Sequence, residues 1–277
     1  MSGPSSKKIP RHRKMSRTVG LVNKSTLLAD SDLNQICSAM NSPQYIEKFC
    51  AVWSLPSITF YCIFKDPSFG QAPTKNRVPG NSHSWRSPQY NRAPTPVNLK
   101  IPNIFIYDSP DAPNIIESTD EPHGRVFVKP LLDNNCSVLG TGKISVASVI
   151  AQEALQLLHD RLSNKWIRVG VQYVASEVCD PVAFNTISIV TPPVTVYLAD
   201  WILPQWQDLT STTGPYNHTN TIENPCKLAD GGFCMVNNGA TINFSWSEST
   251  PDWFKQYKLA AYRVSKRASV SNMPIVS

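Results

Sequence analysis

The sequence predicts an α+β fold, because strand-forming and helix-forming patterns both occur along one chain. Residues 57–64 are a β-branched and aromatic run typical of a buried strand, and Thr18–Asn23 and Asn103–Tyr107 are shorter apolar runs of the same kind. Apolar residues recur at helical spacing over residues 30–50, and residues 144–163 predict a second, amphipathic helix. Asp30 or Ser31 is a candidate cap for the first helix.

Composition places the chain among globular proteins. Its 277 residues can bury a substantial core, and contents of 41% hydrophobic and 17% charged residues are unlike those of a disordered chain. No run of about 18 apolar residues occurs, so we expect no membrane-spanning helix. The basic N-terminus is followed by no apolar segment, so we expect no secretory signal peptide and an intracellular location.

The cysteines are dispersed and odd in number. There are seven, and none forms a CxxC pair. Without a secretory signal, this pattern predicts reduced thiols.

The net charge of +6 is concentrated in residues 1–17, which contain six cations and no acid. The six cations are Lys7, Lys8, Arg11, Arg13, Lys14 and Arg17. Without them, 20 basic residues face 20 acidic ones, so the rest of the chain is neutral. We expect residues 1–17 to form an extended basic arm. Either it is a solvated tail, or it binds a polyanion or a neighbouring subunit.

Residues 66–102 form a proline-rich insertion with basic and aromatic side chains. The candidate partner-binding residues in it are Arg77, Trp85, Arg86, Tyr90 and Arg92. A loop of this length inside a compact domain is either disordered or an extended binding segment. Interleaved cations and aromatic rings can stack on single-stranded nucleic acid. No nucleic-acid reader motif accompanies them, which favours contact with protein.

One face of the helix predicted over residues 144–163 is polar. At 100° per residue, five polar side chains fall within a single arc of roughly 120°. They are Gln152, Glu153, Gln156, His159 and Asp160. Apolar residues fill most of the remaining surface, so the polar stripe faces either solvent or a cleft.

Several segments resemble, in order, the motifs of a zincin-like family of putative metalloproteases from bacteria and phages. Residues 148–160 are similar to its SHELLEMLxDP helix, and residues 173–182 to its YAYEVCDPVE segment. Residues 198–206 resemble VSDFVxPAWF, residues 214–218 resemble the PYDH turn, and residues 228–233 resemble LxPGGY. Shorter likenesses lie upstream, so the resemblance spans roughly residues 18–265 around the insertion. It implies a zincin-like domain with a mixed sheet and a central metal-motif helix, and leaves residues 266–277 as a C-terminal tail.

The resemblance breaks down at the metal ligands. In a zincin helix, a histidine and a second ligand four residues later bind zinc, and the glutamate between them activates the bound water. Gln152 and Gln156 stand at the two ligand positions here, and a neutral amide is a poor zinc ligand. Glu153 is then a vestigial general base, and Glu177 is a further retained position. We therefore expect no cofactor.

A re-sited metal is the alternative. His159 lies on the polar stripe, and His218 lies in the turn that resembles PYDH. Together with Glu153 and Glu177 they offer enough ligands for zinc, although His159 and Glu153 are about 120° apart around the helix.

The sequence thus favours a non-catalytic structural or interaction protein on a degenerate zincin-like scaffold. Because the family occurs in phages, the expected setting is a minor virion component, in the capsid or tail of a phage or large DNA virus. The expected partners are other protein subunits of a larger assembly, with no membrane. The alternatives are an active zinc-dependent metallopeptidase with non-standard ligands, and a non-specific nucleic-acid-binding protein.

Overall fold

A computed structural model of the protein describes residues 18–64, 101–109, 117–120, 123–161, 165–238, 241–264 and 275–276. The fold combines helices with a largely parallel sheet and with antiparallel sheets. The basic arm and nearly all of the proline-rich insertion lie outside the described residues.

The first sheet has five strands and is mixed. Its order is β2 (Thr59–Ile63), β1 (Thr18–Asn23), β3 (Asn103–Tyr107), β5 (His123–Phe127) and β4 (Glu117–Asp120). All neighbouring strands are parallel except β4, which pairs antiparallel with β5 at one edge. The inner strands β1 and β3 are buried along almost their whole length, as strands covered on both faces are.

Strand β2 is less buried than its apolar sequence predicts. Phe60 is buried, but Thr59 is exposed and the other three residues are half-buried. The reason is the position of β2 at the sheet edge, where only β1 pairs with it among the described strands. The β-branched run of residues 57–64 therefore marks an edge strand, and the expectation of a fully buried one is wrong.

The helical region after β1 is divided into three parts. Helix α1 (Asp30–Met40) is followed by a π-helical turn (Pro43–Glu47) and by the short helix α2 (Lys48–Val52). The predicted cap is wrong, because Ala29 occupies the capping position and Asp30 is already helical. The Asp30 carboxylate instead accepts a hydrogen bond of 2.7 Å from the Asn23 amide, which fastens α1 to the end of β1.

The second half of the chain forms antiparallel sheets and two further helices. A five-stranded sheet has the order β11 (Ile242–Trp246), β10 (Phe233–Asn237), β7 (Gln172–Ala175), β6 (Trp166–Val169) and β12 (Ile275–Val276), in which only β12 is parallel to its neighbour. Strands β8 (Thr186–Thr191) and β9 (Val194–Ala199) form a hairpin. Helix α3 (Val128–Asp133) follows β5 directly, and α5 (Asp252–Val264) follows β11. Strand β5 thus ends at Phe127, and α3 begins at the next residue.

Helix α4 (Val146–His159) lies at the centre of the protein. It contacts β3, β4 and β5 of the first sheet and β9 of the hairpin, so strands cover it on more than one side. Of its 14 residues, 13 are buried, and only His159 is partly accessible. The polar stripe therefore points into the protein, not into solvent. Neither α4 nor any other helix in the described part of the chain is long and apolar enough to cross a membrane.

Helix α4 begins at a reciprocal cap. The Ser145 hydroxyl accepts a hydrogen bond of 3.1 Å from the Ser148 amide, and the Ser148 hydroxyl accepts one of 2.8 Å from the Ser145 amide. Both serines are buried, so water cannot replace these partners.

We predict that Ser145→Ala lowers the free energy of unfolding by about 1–2 kcal/mol, because the buried Ser148 amide loses its acceptor. Urea denaturation monitored by circular dichroism measures the change. Ser188→Ala, at an exposed position of β8, is the control and should change stability by less than about 0.5 kcal/mol. Equal effects of the two substitutions would contradict the role of the cap.

Candidate functional site

The two glutamines of the polar stripe converge on one carboxyl group. Gln152 and Gln156 lie one turn apart on α4, and their side-chain amides donate hydrogen bonds of 3.0 Å and 2.6 Å to the same oxygen, Asp180 Oδ1. Asp180 opens a short 3-10 turn (Asp180–Val182), and all three side chains are buried. The positions that resemble metal ligands are therefore filled by an amide–carboxyl–amide cluster.

Burial sets the charge of this cluster. It raises the pKa of Asp180 to about 8, and the neighbouring Glu153 carboxylate adds to the rise. The hydrogen bonds from Gln156 and Gln152 oppose it, because they favour the ionised form. Asp180 is consequently mostly protonated at neutral pH, and the cluster keeps little net charge in the core.

Glu153, the expected vestigial base, lies on the side of α4 that meets the first sheet. A Cβ placed on Gly124 of β5 would stand 2.6 Å from both Cγ and Oε1 of Glu153, and 2.8 Å from Cδ1 of Ile104. Glu153 is almost completely buried. The glutamate thus fits against the sheet only because residue 124 has no side chain.

His159 ends α4 in a separate environment. Its Nε2 lies 2.7 Å from the Ser176 hydroxyl, and its ring packs edge-on against Trp53 with centroids 4.3 Å apart. Burial, with the nearby Lys165 ammonium, lowers the pKa of His159 to about 3, so the ring is neutral at physiological pH. Glu177 is half-buried next to this region, and its backbone amide donates to the Ala175 carbonyl.

His218 packs against another tryptophan. Its ring stacks on Trp201 at 4.3 Å with an interplanar angle of 17°, and its backbone amide donates to the Trp201 carbonyl. Burial lowers its pKa, and the Lys48 ammonium contributes. Within the described residues, no three or more His, Cys, Asp or Glu side chains are grouped to hold a metal ion. The re-sited zinc site remains a hypothesis that metal binding has to test.

A second buried polar cluster was not predicted from the sequence. The Asp200 carboxylate accepts hydrogen bonds from the Trp201 amide (2.8 Å), the Asn217 side chain (2.6 Å) and the Thr219 hydroxyl (2.6 Å). The side-chain carbonyl of Asn217 accepts a hydrogen bond from the backbone amide of Ile222. These bonds fasten the loop after Gly214 to the end of β9, a structural role.

Asp180 is the functional candidate that sequence reasoning passed over. It stands in the segment that resembles YAYEVCDPVE, but only Glu177 was singled out there. The sequence feature that points to such an acceptor is the pair of amide side chains at spacing i, i+4 on a largely apolar helix, since buried donors need an acceptor. Nothing in the sequence indicated which carboxylate would supply it.

The segments that resemble the family's motifs lie against one another in the structure. Besides the bonds from α4 to Asp180, the Ala229 amide donates to the Pro181 carbonyl at 3.0 Å, and the His218 amide donates to the Trp201 carbonyl at 3.0 Å. Segments that are far apart in sequence therefore form one region around the C-terminal part of α4 and the end of β9.

The predicted partner-binding residues all lie outside the described residues. They are Lys7, Lys8, Arg11, Arg13, Lys14 and Arg17 of the basic arm, and Arg77, Trp85, Arg86, Tyr90 and Arg92 of the proline-rich insertion.

Comparison with known proteins adds no relative. No protein-family model, curated protein or solved structure matches the chain.

The raised pKa of Asp180 predicts a pH-dependent penalty on stability. Between the ordinary pKa of 3.8 and about 8, the folded protein keeps a proton that the unfolded chain releases, so this contribution to stability is lost as the pH rises. Asp180→Asn keeps a neutral group that accepts from both glutamines. The variant should therefore gain stability relative to the wild type across this range, by on the order of a few kcal/mol.

Denaturant titrations of the wild type and the variant at several pH values measure the difference in their free energies of unfolding. Taking this difference cancels the contributions of other titrating groups such as His159. Asp208→Asn is the control, because Asp208 is exposed and hydrogen bonds from Thr210 lower its pKa, so it titrates below this range. A wild-type-to-variant difference that stays constant with pH would show that Asp180 is ionised in the fold.

We predict that Gly124→Ala destabilises the protein by about 1–3 kcal/mol, since the new methyl group overlaps the side chain of Glu153. Chemical denaturation measures the loss. In the background of Glu153→Ala the same substitution should cost less, because the shortened side chain leaves space. Additive effects of the two substitutions would place the clash elsewhere.

Proposed function

We propose that the protein is a non-catalytic structural or interaction protein, built on a zincin-like scaffold whose metal site has been replaced by the cluster around Asp180. The observation that carries the proposal is the pair of hydrogen bonds from Gln152 and Gln156 to Asp180. The side chains at the two ligand-like positions are already hydrogen-bonded, and both donate to the same acceptor, Asp180.

The chemistry of the cluster supports a non-catalytic role. A zincin needs imidazole or carboxylate ligands at the helix positions, and a metal to lower the pKa of the attacking water. Gln152 and Gln156 turn their N–H groups toward Asp180, so their donors occupy the space in which a cation would need acceptors. Glu153 is close, but without a metal-bound water it has no proton to take in such a mechanism.

The distribution of charge supports an interaction role. Six cations without an acid precede residue 18, while the remainder of the chain balances 20 basic against 20 acidic residues. A chain whose excess positive charge lies in residues 1–17 suits contact with other subunits of an assembly, and the particle of a phage or large DNA virus is the proposed setting. Nucleic acid is a second possible ligand of the arm and the insertion. Nucleic-acid binding would weaken steeply as the salt concentration rises, and it would be lost when residues 1–17 are removed.

Zinc binding tests the proposal directly. The purified full chain, equilibrated with excess zinc and then desalted, should retain far less than one zinc per chain by elemental analysis. Stoichiometric zinc in the wild type that disappears in Glu153→Ala or Glu177→Ala would overturn the proposal and favour an active metallopeptidase with re-sited ligands.

Restoring the ligands tests the scaffold separately. In Gln152→His/Gln156→His, two imidazoles lie one turn apart beside Asp180, so we expect about one zinc per chain and a rise in melting temperature when zinc is added. The triple variant that also carries Asp180→Asn should bind more weakly. If the double variant folds but binds no zinc, α4 is not a degenerate metal helix, whatever the wild type does.

A further inference from the structure

Two cysteines lie level with each other on α1 and β2. Asn41 is hydrogen-bonded to Phe60 through both its amide and its carbonyl, each at 2.8 Å, which places this end of α1 beside the start of β2. From Asn41, one turn back along α1 leads about 6 Å to Cys37. From Phe60, two residues along β2 lead about 6.8 Å to Cys62, on the same face of the strand.

Direct contacts confirm this alignment. The Cys62 thiol donates to the Leu33 carbonyl at 3.5 Å, and Leu33 precedes Cys37 by one helical turn. The Cys37 sulfur accepts from the Asn41 side chain at 3.6 Å. Cys37 and Cys62 therefore share the narrow space between the helix and the edge strand.

The pair is polarised. The neighbouring Cys62 thiol lowers the pKa of Cys37, because its one S–H can turn from the Leu33 carbonyl to a Cys37 thiolate; Asn41 assists and burial opposes. The same interaction and burial raise the pKa of Cys62. Cys37 is 7% exposed, while Cys62 is half-buried on the edge strand. Cys37 thus ionises more readily than Cys62, and only a small oxidant can reach it.

We propose that Cys37 and Cys62 form a peroxide-sensitive dithiol, which is oxidised to a disulfide that links α1 to the edge strand β2. The proposal rests on the packing of the first sheet and is independent of the zincin-like scaffold and of the proposed function.

The reaction balances with a hydroperoxide as the oxidant. The Cys37 thiolate attacks one peroxide oxygen, the O–O bond breaks, and hydroxide leaves and is protonated to water, which gives a sulfenic acid on Cys37. The Cys62 sulfur then attacks the Cys37 sulfur, the S–O bond breaks, and the hydroxyl group leaves as water with the Cys62 proton. Two thiols and one hydrogen peroxide become one disulfide and two waters.

The test treats the folded, fully reduced chain with hydrogen peroxide, blocks remaining thiols, and maps linked peptides by mass spectrometry without reduction. Before the blocking step we expect an intact mass lower by two hydrogen atoms, and after it one linked peptide pair that contains Cys37 and Cys62. This link should form roughly tenfold faster than oxidation at the other cysteines, because their thiols are not paired in this way.

Three variants separate the steps. Cys37→Ser should abolish the link and slow peroxide consumption. Cys62→Ser should abolish the link but leave a Cys37 sulfenic acid that a 1,3-diketone probe captures. Cys136→Ser, which removes a half-buried thiol at the end of α3, should leave the link intact.

The wild-type peptide map alone can overturn the proposal, so it does not depend on how the variants fold. Recovery of Cys37 and Cys62 as separately blocked thiols, or a link between them that forms only in denaturant, would show that the native pair is not a peroxide-sensitive site.

Discussion

The burial of helix α4 together with its polar side chains is the constraint on which the centre of the structure depends. A helix that lies between a sheet and a hairpin has no solvent-facing side, so every polar group on it needs a partner inside the protein. Gln152 and Gln156 find theirs in Asp180, and this bond pair joins α4 to the turn that leads into the second half of the chain. Asp180 is therefore one of the groups that join the two halves of the fold, and the Tyr45 hydroxyl, which donates to the Ala199 carbonyl, is another.

The raised pKa of Asp180 reflects the cost of burying a charge at that connection. Two neutral amides cannot compensate a full negative charge in the core as well as a cation would, and Glu153 is close enough to raise the cost of a second charge. In the proposed function, a proton on Asp180 takes the place of the divalent ion that a metalloenzyme holds between its ligands. This replacement is the physical basis of the proposed non-catalytic role.

The first sheet contains a different kind of built-in chemistry. Its parallel strands require crossover connections, and α1 supplies one that runs back along β2. One helical turn of α1 and two residues of β2 span nearly the same length, so side chains on the two elements lie next to each other at regular intervals. Asn41 lies beside Phe60, and one interval further along Cys37 lies beside Cys62. The thiol pair is a consequence of this geometry, and the cysteine spacing in the sequence carries no trace of it.

Periodicity alone predicted several of the elements of this protein. The runs Thr18–Asn23 and Asn103–Tyr107 and the helical spacing over residues 144–163 each correspond to an element, since hydrophobic period is a local property that tertiary packing seldom reverses. The mixed sheet agrees with the expectation, while the zincin-like identity remains a proposal. The sequence also marked Gln152, Glu153 and Gln156 as a polar stripe on one face of a helix.

Only the tertiary structure decided what that stripe faces. A polar stripe that faces solvent and one that faces the interior have the same sequence pattern. The strands that cover the helix decide between the two. The acceptor for the glutamines is 24 and 28 residues away in the chain, at a position whose carboxyl group looks like any other acid until burial changes its pKa. The edge position of β2 and the proximity of Cys37 to Cys62 could not be read from the sequence for the same reason: each depends on a neighbour in space.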